Sequence, residues 1–256
     1  MQVTYIGHAT TLIELDGKHI LTDPHFGNWL FLLPRQQYPG IRFHNLPKID
    51  LALVSHAHYD HLHKRTLRKL HKVNPQMALR CARGIARIIK STHITDVKSM
   101  YEDETDTVAG LKITAVRSKH FGGRLFLAGG FILGYTGFII EGKEGTVYFP
   151  GDAAYSETYF TEIGQRFKID IALLPIGAYK PRIYLRGKHM NPDDAIKAFQ
   201  DLHARYMVPI HWGTFKLGLE FLHTPTRWLR ELSQQYGVED KVKILQFGET
   251  FSLEKP

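Results

Sequence analysis

Four side chains that can bind metal, His56, His58, Asp60 and His61, stand within six consecutive residues of this 256-residue chain. They follow Leu51-Ala52-Leu53-Val54-Ser55, an apolar run that reads as a buried strand. The histidines therefore emerge at the strand's C-terminal end, where α/β folds gather their ligand sites. Two imidazoles two positions apart, then an adjacent Asp-His pair, can serve two metals: one through His56 and His58, the other through Asp60 and His61. A solvated polar turn rarely concentrates so many metal-capable groups, so the run is read as a metal site.

One loop cannot fill two coordination spheres. His120, Asp152 and His211 each follow a further apolar strand pattern. Taken singly, such a residue is more often a structural hydrogen-bonder, but together with the first run they complete a set. His56, His58 and His120 would hold one metal, Asp60, His61 and His211 the other, and Asp152 would bridge them. Each metal keeps a position for water, and the absence of cysteine ligands argues against a closed structural zinc. Zinc best suits these donors, with manganese or iron also compatible. Two divalent ions about 3.5–4 Å apart lower the pKa of a shared water and clamp an oxyanion. Asp152 would position that water, and Asp60 is counted with it among the catalytic groups.

His189 is the candidate beyond the metals. It lies in Arg186-Gly187-Lys188-His189-Met190-Asn191, a basic loop just before a well-marked helix start, which is a natural phosphate site. Lys188 is assigned with it to the substrate side. Asp23 is placed to orient a ligating imidazole, although Asp23-Pro24 is also a turn signal. His8 is expected to line the pocket, with Tyr179 and Arg182 at its rim.

These residues need strands that end together. Alternating patterns predict strands over residues 2–7, 10–15 and 19–22, with Asp16-Gly17 as a hairpin turn. Helices are predicted over 64–73 and 85–89. Strands return at 111–116, 131–140 and 146–149, followed by a helix over 157–167 and a buried strand over 169–174. Asn191-Pro192-Asp193-Asp194 carries a cap, a first-turn proline and two acids, so a helix is predicted from there to about Tyr206. A strand over 207–211 completes the series. Two sheets packed together with helices outside accommodate this order. No linker or low-complexity segment divides the chain, so residues 1–256 are expected to form a single domain.

Composition narrows the class. An apolar content of 43% with 23% charged residues describes a folded globule rather than a disordered chain. No apolar stretch is long enough to cross a bilayer, and no signal peptide is expected before the first strand. The single cysteine excludes an internal disulfide and suits a reducing compartment, so a cytoplasmic location is expected, with peripheral membrane contact compatible. The net charge of +8 favours anionic partners. The basic cluster around His63-Lys64-Arg65 reads as a solvated face, whereas residues 180–188 border the site. Two aromatic-rich loops, 26–33 and 121–131, would ordinarily pack into the core. Exposed, they would suit an acyl chain or a membrane surface.

The His-Ala-His-Tyr-Asp-His motif, with the later His, Asp and His in order, resembles the metallo-β-lactamase superfamily of binuclear hydrolases. That resemblance implies an α/β (α+β) fold, a four-layer αββα sandwich with metals at one edge. Within the superfamily the chain is similar to the N-acyl-phosphatidylethanolamine-hydrolysing phospholipase D family. The similarity rests on Gly7-His8-Ala9-Thr10, Leu21-Thr22-Asp23-Pro24, Ser55 to Leu62 and Phe149-Pro150-Gly151-Asp152. It continues through Glu162-Ile163-Gly164, Arg166-Phe167, Pro175-Ile176-Gly177-Ala178-Tyr179, Pro181-Arg182 and His211-Trp212-Gly213-Thr214-Phe215. It implies a substrate-contacting or proton-donating role for His189. The mammalian phospholipase has a long N-terminal extension before the segment matched here, so the metal chemistry transfers further than the lipid substrate. The expected activity is hydrolysis of an organic or lipid phosphodiester by a metal-bridging hydroxide. A lactonase or ester hydrolase and a noncatalytic metal-binding or interaction protein are the alternatives. RNA processing is disfavoured, since no nucleic-acid module is evident.

Overall fold

The first sheet begins with three consecutive antiparallel strands, β1 (Gln2–Gly7), β2 (Thr10–Leu15) and β3 (Lys18–Thr22). The computed structural model describes residues 1–121 and 134–254. Asp16 and Gly17 both take positive φ between β2 and β3, which is the two-residue turn that matches strand twist. A short hairpin follows, β4 (Trp29–Leu30) with β5 (Leu33–Pro34). Then β6 (Leu51–Val54) enters parallel to β3. Helix α1 (Lys64–Val73) leads to β7 (Ala78–Ala82), and α2 (Ile85–Ile89) to β8 (Val97–Met100), both strands again parallel. Parallel neighbours need crossovers, and the two helices supply them on the sheet's outer face.

The second sheet starts with β9 (Thr105–Val108), β10 (Leu111–Val116), β11 (Gly137–Gly142) and β12 (Gly145–Phe149), all antiparallel. Helix α3 (Glu157–Arg166) then crosses to β13 (Ile171–Pro175). After α4 (Arg182–Leu185), helix α5 (Pro192–Asp201) crosses to β14 (Tyr206–Ile210). The chain closes with α6 (Thr224–Gln235) and β15 (Thr250–Ser252), which returns to pair with β1. The orders are β15-β1-β2-β3-β6-β7-β8 and β14-β13-β12-β11-β10-β9.

One apolar cluster contains Tyr5, Ile13 and Leu53 of the first sheet with Ile113, Phe138 and Leu173 of the second. It continues into Phe160 of α3, Phe199 of α5 and Leu229 of α6. A separate cluster holds Leu67 and Leu70 of α1 and Ile85 of α2 against Val54 and Leu79. Helix, sheet, sheet, helix is the four-layer sandwich expected from the sequence. A shared core forces the two sheets to keep one relative placement, and that is what aligns their edges.

Several predicted boundaries move. The α5 capping box forms as read, with Asp194 N–H donating to Asn191 Oδ1 and the Asp194 carboxylate accepting Asn191 N–H. The helix nevertheless ends at Asp201, because His203 turns left-handed and Tyr206 pairs with Ile171 in β14. The strand predicted over 131–140 runs as Gly137–Gly142, its first residues lying outside those described. Strands β7, β8, β9 and β15 and helix α6 were not predicted. In β7 the apolar run is broken by Arg80, which is buried yet neutralised. Its Nε donates to Asp106 (2.5 Å) and its Nη1 to Asp96 (2.7 Å), tying β7 to β9 in the other sheet.

Burial alone would raise the Asp106 pKa, but Arg80 and Lys98 outweigh it and hold the carboxyl below its ordinary 3.8. A depressed carboxyl contributes stability above its unfolded pKa and loses it as pH falls through the folded value. Asp106→Asn is therefore expected to lower the urea midpoint at neutral pH. The gap from the parent should close as pH falls below about 4. A gap that stayed constant with pH would show that the pair does not link the sheets electrostatically.

Candidate metal centre

Strands β1, β3 and β6 run in one direction, and so do β10, β12 and β14 in the second sheet. His8, Asp23 and the His56–His61 loop follow the first three; His120, Asp152 and His211 follow the others. All arrive at one edge of the sandwich. The turns there are tight. His8, Asp23 and His211 take positive φ, each on the order of 1 kcal/mol unfavourable for a residue with a Cβ. Gly151, beside Asp152, has φ +65°, and a Cβ on it would collide with the side chain of Ser55.

Hydrogen bonds on the outer side of each ring decide which nitrogen faces inward. Asp23 accepts Ser55 N–H (2.7 Å), the Ser55 hydroxyl (2.6 Å) and His61 Nδ1–H (2.6 Å). The Ser55 hydroxyl in turn accepts His56 Nδ1–H (2.9 Å), and His120 Nδ1–H donates to the Lys188 carbonyl (2.8 Å). With Nδ1 occupied, His56, His61 and His120 each turn a free Nε2 toward the centre, the arrangement metal-binding histidines use. His58 presents Nδ1 instead.

Two donor groups result. His56 Nε2 lies 2.9 Å from His58 Nδ1, and His120 Nε2 lies 3.4 Å from the same atom. Asp152 Oδ2 is 3.8 Å from His56 and 3.9 Å from His120. On the other side, Asp60 Oδ2 is 3.4 Å from His61 Nε2 and 3.5 Å from His211 Nε2. Asp152 reaches this group too, at 3.2 Å from His61 and 3.1 Å from His211. Donor atoms lie no more than 4.8 Å apart within the set His56, His58, His120 and Asp152 and within the set His8, Asp60, His61 and His211. Bonds of about 2.0–2.1 Å in a tetrahedron place donors roughly 3.3 Å apart, so both groups fit a metal. The donors are buried apart from the half-buried His58, and among the described residues His61 Nε2, His211 Nε2 and Asp152 Oδ1 meet no hydrogen-bond partner. His56 Nε2 and His58 Nδ1, 2.9 Å apart, can share a proton or turn both lone pairs to a cation.

The electrostatics prepare the same state. Burial holds His56 and His58 below the usual imidazole range and lowers His120 to about 3. Burial works against ionising Asp60 and Asp152, yet the surrounding histidines hold both well below the carboxylate range. Neutral imidazoles and ionised carboxylates are the forms a metal binds. His61 is the exception: burial lowers its pKa, but Asp152, Asp60 and Asp23 together raise it well above 6.5. Positive charge is favoured at that point of the cluster.

A family model described as a beta-lactamase superfamily domain matches residues 18–212. The chain belongs to the metallo-β-lactamase superfamily. The coarse activity follows: it is a metal-dependent hydrolase. It is 32% identical over 245 residues to N-acyl-phosphatidylethanolamine-hydrolyzing phospholipase D 1 of Caenorhabditis elegans, a match covering 90% of this chain and 68% of that one. A mitochondrial enzyme of the same name from Saccharomyces cerevisiae is 29% identical, and this chain spans 55% of its length. A metal-dependent hydrolase of Methanopyrus kandleri is 30% identical across 98% of this chain and 99% of its own. In fold, the chain is similar to an isothiocyanate hydrolase from Delia radicum gut bacteria. That likeness has a TM-score of 0.79 at 23% identity and covers 99% of both chains.

In this superfamily member the other predicted residues divide. His189 enters the site, with Nδ1 3.7 Å from Asp152 Oδ2 and no hydrogen-bond partner. His8 sits closer than a pocket-lining role implied, its Nε2 2.9 Å from Asp60 Oδ2. Arg182 is a brace rather than a rim residue: it donates to the His189 carbonyl (2.8 Å) and binds Asp194 of α5. Lys188 offers its carbonyl to His120 and sets its ammonium over the Phe121 ring. Tyr179 packs on Trp228 of α6, away from the donors. Ser55 was missed as a brace, although it directly precedes the motif. Glu220, which accepts the backbone N–H of Tyr179 and Lys180, had no sequence signal. Beyond Phe121, the second aromatic loop lies outside the described residues.

Asp23→Asn removes the charged acceptor that orients His61 and anchors Ser55. Metal affinity is expected to fall about 10–100-fold, read by competition with a chromogenic chelator. Unchanged affinity would leave Asp23 as a turn residue only.

Proposed function

We propose that the protein is a phosphodiesterase that holds two divalent metals, zinc by preference, and cleaves an organic or lipid phosphodiester. The observation that carries this reading is the placement of Asp152 between two donor groups with His189 beside it. His56, His58, His120 and Asp152 would hold one ion; Asp60, His61, His211 and Asp152 the other. When bound, such ions acidify water and neutralise charge on phosphoryl oxygens. The chain's own residues supply the rest. Asp152, ionised among imidazoles, orients the attacking water. Asp60, braced by His8, keeps the second group of donors in place. His189 holds a proton for the departing oxygen, and Arg182 fixes its loop through the His189 carbonyl and α5. Burial lowers the His189 pKa to about 4, and Asp152 opposes that shift. A phosphodiester anion beside the ring would oppose it further. The likeness to a protein named as a phospholipase D supports the substrate class.

The test is elemental analysis paired with hydrolysis of bis(p-nitrophenyl) phosphate before and after chelation. About two metals per chain and turnover lost on chelation are expected. Two metals without turnover on any phosphodiester would move the activity to lactones and esters. Loss of metal binding even after reconstitution would leave a noncatalytic relative. His189→Gln is expected to reduce turnover by about 10²–10⁴-fold, the usual range for a positioned acid, with metal content unchanged. Full turnover in that variant would remove His189 from the reaction.

A further inference from the structure

The hairpin of β4 and β5 departs from the packing expected of an aromatic loop. Leu30 points inward, but Trp29, Phe31 and Leu32 are 60%, 69% and 90% exposed. These side chains are held out from a fixed base. Arg35 donates from Nε to the Gly27 carbonyl (2.8 Å) and from Nη2 to the His25 carbonyl (2.5 Å), and its N–H bonds the Asn28 carbonyl. His25 stacks on His63 at 4.3 Å, which places the start of α1 against the base of the hairpin. A clamped hairpin with an apolar tip is a finger, not a loose loop.

It stands at the mouth of the metal centre. Phe31 packs edge-on against Tyr59, inside the ligand motif, with ring centroids 4.3 Å apart. Gln36 N–H bonds the Thr214 carbonyl, and Arg35 lies over Phe215, so the segment after His211 adjoins the finger. That segment carries two more exposed apolar side chains, Leu219 and Phe221. Exposed apolar side chains grouped at the mouth of a site mark an interaction surface more often than a solvated face.

Charge selects the occupant. Between Pro24 and Ile49 there is no Asp or Glu, and between His61 and Thr95 there is again none. Helix α1 brings Lys64, Arg65, Arg68, Lys69 and Lys72 to this side, and the Lys69 ammonium lies 5.9 Å from the ring centre of Phe43 in the segment after the hairpin. Two such faces would repel each other, which disfavours self-association, whereas an anionic surface neutralises them. An apolar wedge with interfacial Trp, backed by cations, is the combination that gives peripheral binding to anionic lipid.

We propose that the finger of residues 29–33 and the basic face of α1 dock this protein on an anionic phospholipid bilayer, with the metal centre turned toward the headgroups. The purpose of this docking rests on the phosphodiesterase reading, but the binding is measured without turnover. Flotation with phosphatidylcholine vesicles, with and without phosphatidylglycerol, tests it on the full chain. The protein is expected to float with phosphatidylglycerol vesicles and to be released by high salt. The triple variant Trp29→Ser, Phe31→Ser, Leu32→Ser is expected to bind about tenfold less. Its circular dichroism should match the parent. Lys64→Glu with Arg65→Glu should abolish the preference for phosphatidylglycerol. Failure of the parent to float, or a triple variant that binds as well, overturns the proposal. So does a parent mass that rises with concentration and falls back in the triple variant, which would assign the finger to a second copy of this chain. A parent that floats with the vesicles but turns over no phosphodiester would count against the phosphodiesterase reading alone.

Discussion

Two ionised carboxylates, Asp60 and Asp152, are buried among imidazoles that turn nitrogens toward one another. That arrangement is costly for the polypeptide, because buried charges need compensation. The rest of the structure is organised around holding it. Asp152 bears the greatest constraint, since it lies within 4 Å of nitrogens from five histidines, His56, His61, His120, His189 and His211. It can hold that position only because Gly151 turns left-handed against Ser55, leaving no room for a side chain.

The fold meets this demand by dividing it. The first sheet supplies a contiguous motif with its own brace, as Asp23 fastens the loop through Ser55 and His61. The second sheet supplies single residues from separate strands. Both sheets contribute to each of the two four-residue donor groups, since His120 and Asp152 join His56 and His58, and His211 joins His8, Asp60 and His61. The common core sets the spacing between the sheets, and the Arg80 pairs reinforce it at the far side. Side-chain networks of this kind act as units, so deletions within the site should not add independently.

Surface charge follows the same polarity as the site. The ligand motif opens onto a side of the molecule where α1 and residues 25–48 carry cations without acids. Acidic side chains collect elsewhere, as at Glu102, Asp103, Glu104 and Asp106 around β9. Such an asymmetry draws anions toward the metal edge. The apolar finger adds a second, short-range component at the same mouth.

Much of the site was legible because its residues belong to local patterns. The His56–His61 run sits at the end of an unbroken apolar strand, and His120, Asp152 and His211 end strands of the same kind. The α5 start was equally plain, since Asn191, Pro192 and Asp194 act on neighbours within one turn. What the sequence alone could not determine depends on partners far away in the chain. Arg80 hid β7 because an Arg in a strand looks exposed until Asp96 and Asp106 neutralise it. Arg182 resembled a substrate contact until Asp194 and the His189 carbonyl took its donors. The 26–33 loop read as core because apolar composition cannot say which side chains find a surface to cover. Local periodicity and capping determine elements and their ends; only the packing of two sheets decides which ends meet, and so which groups become ligands, braces or exposed apolar surface.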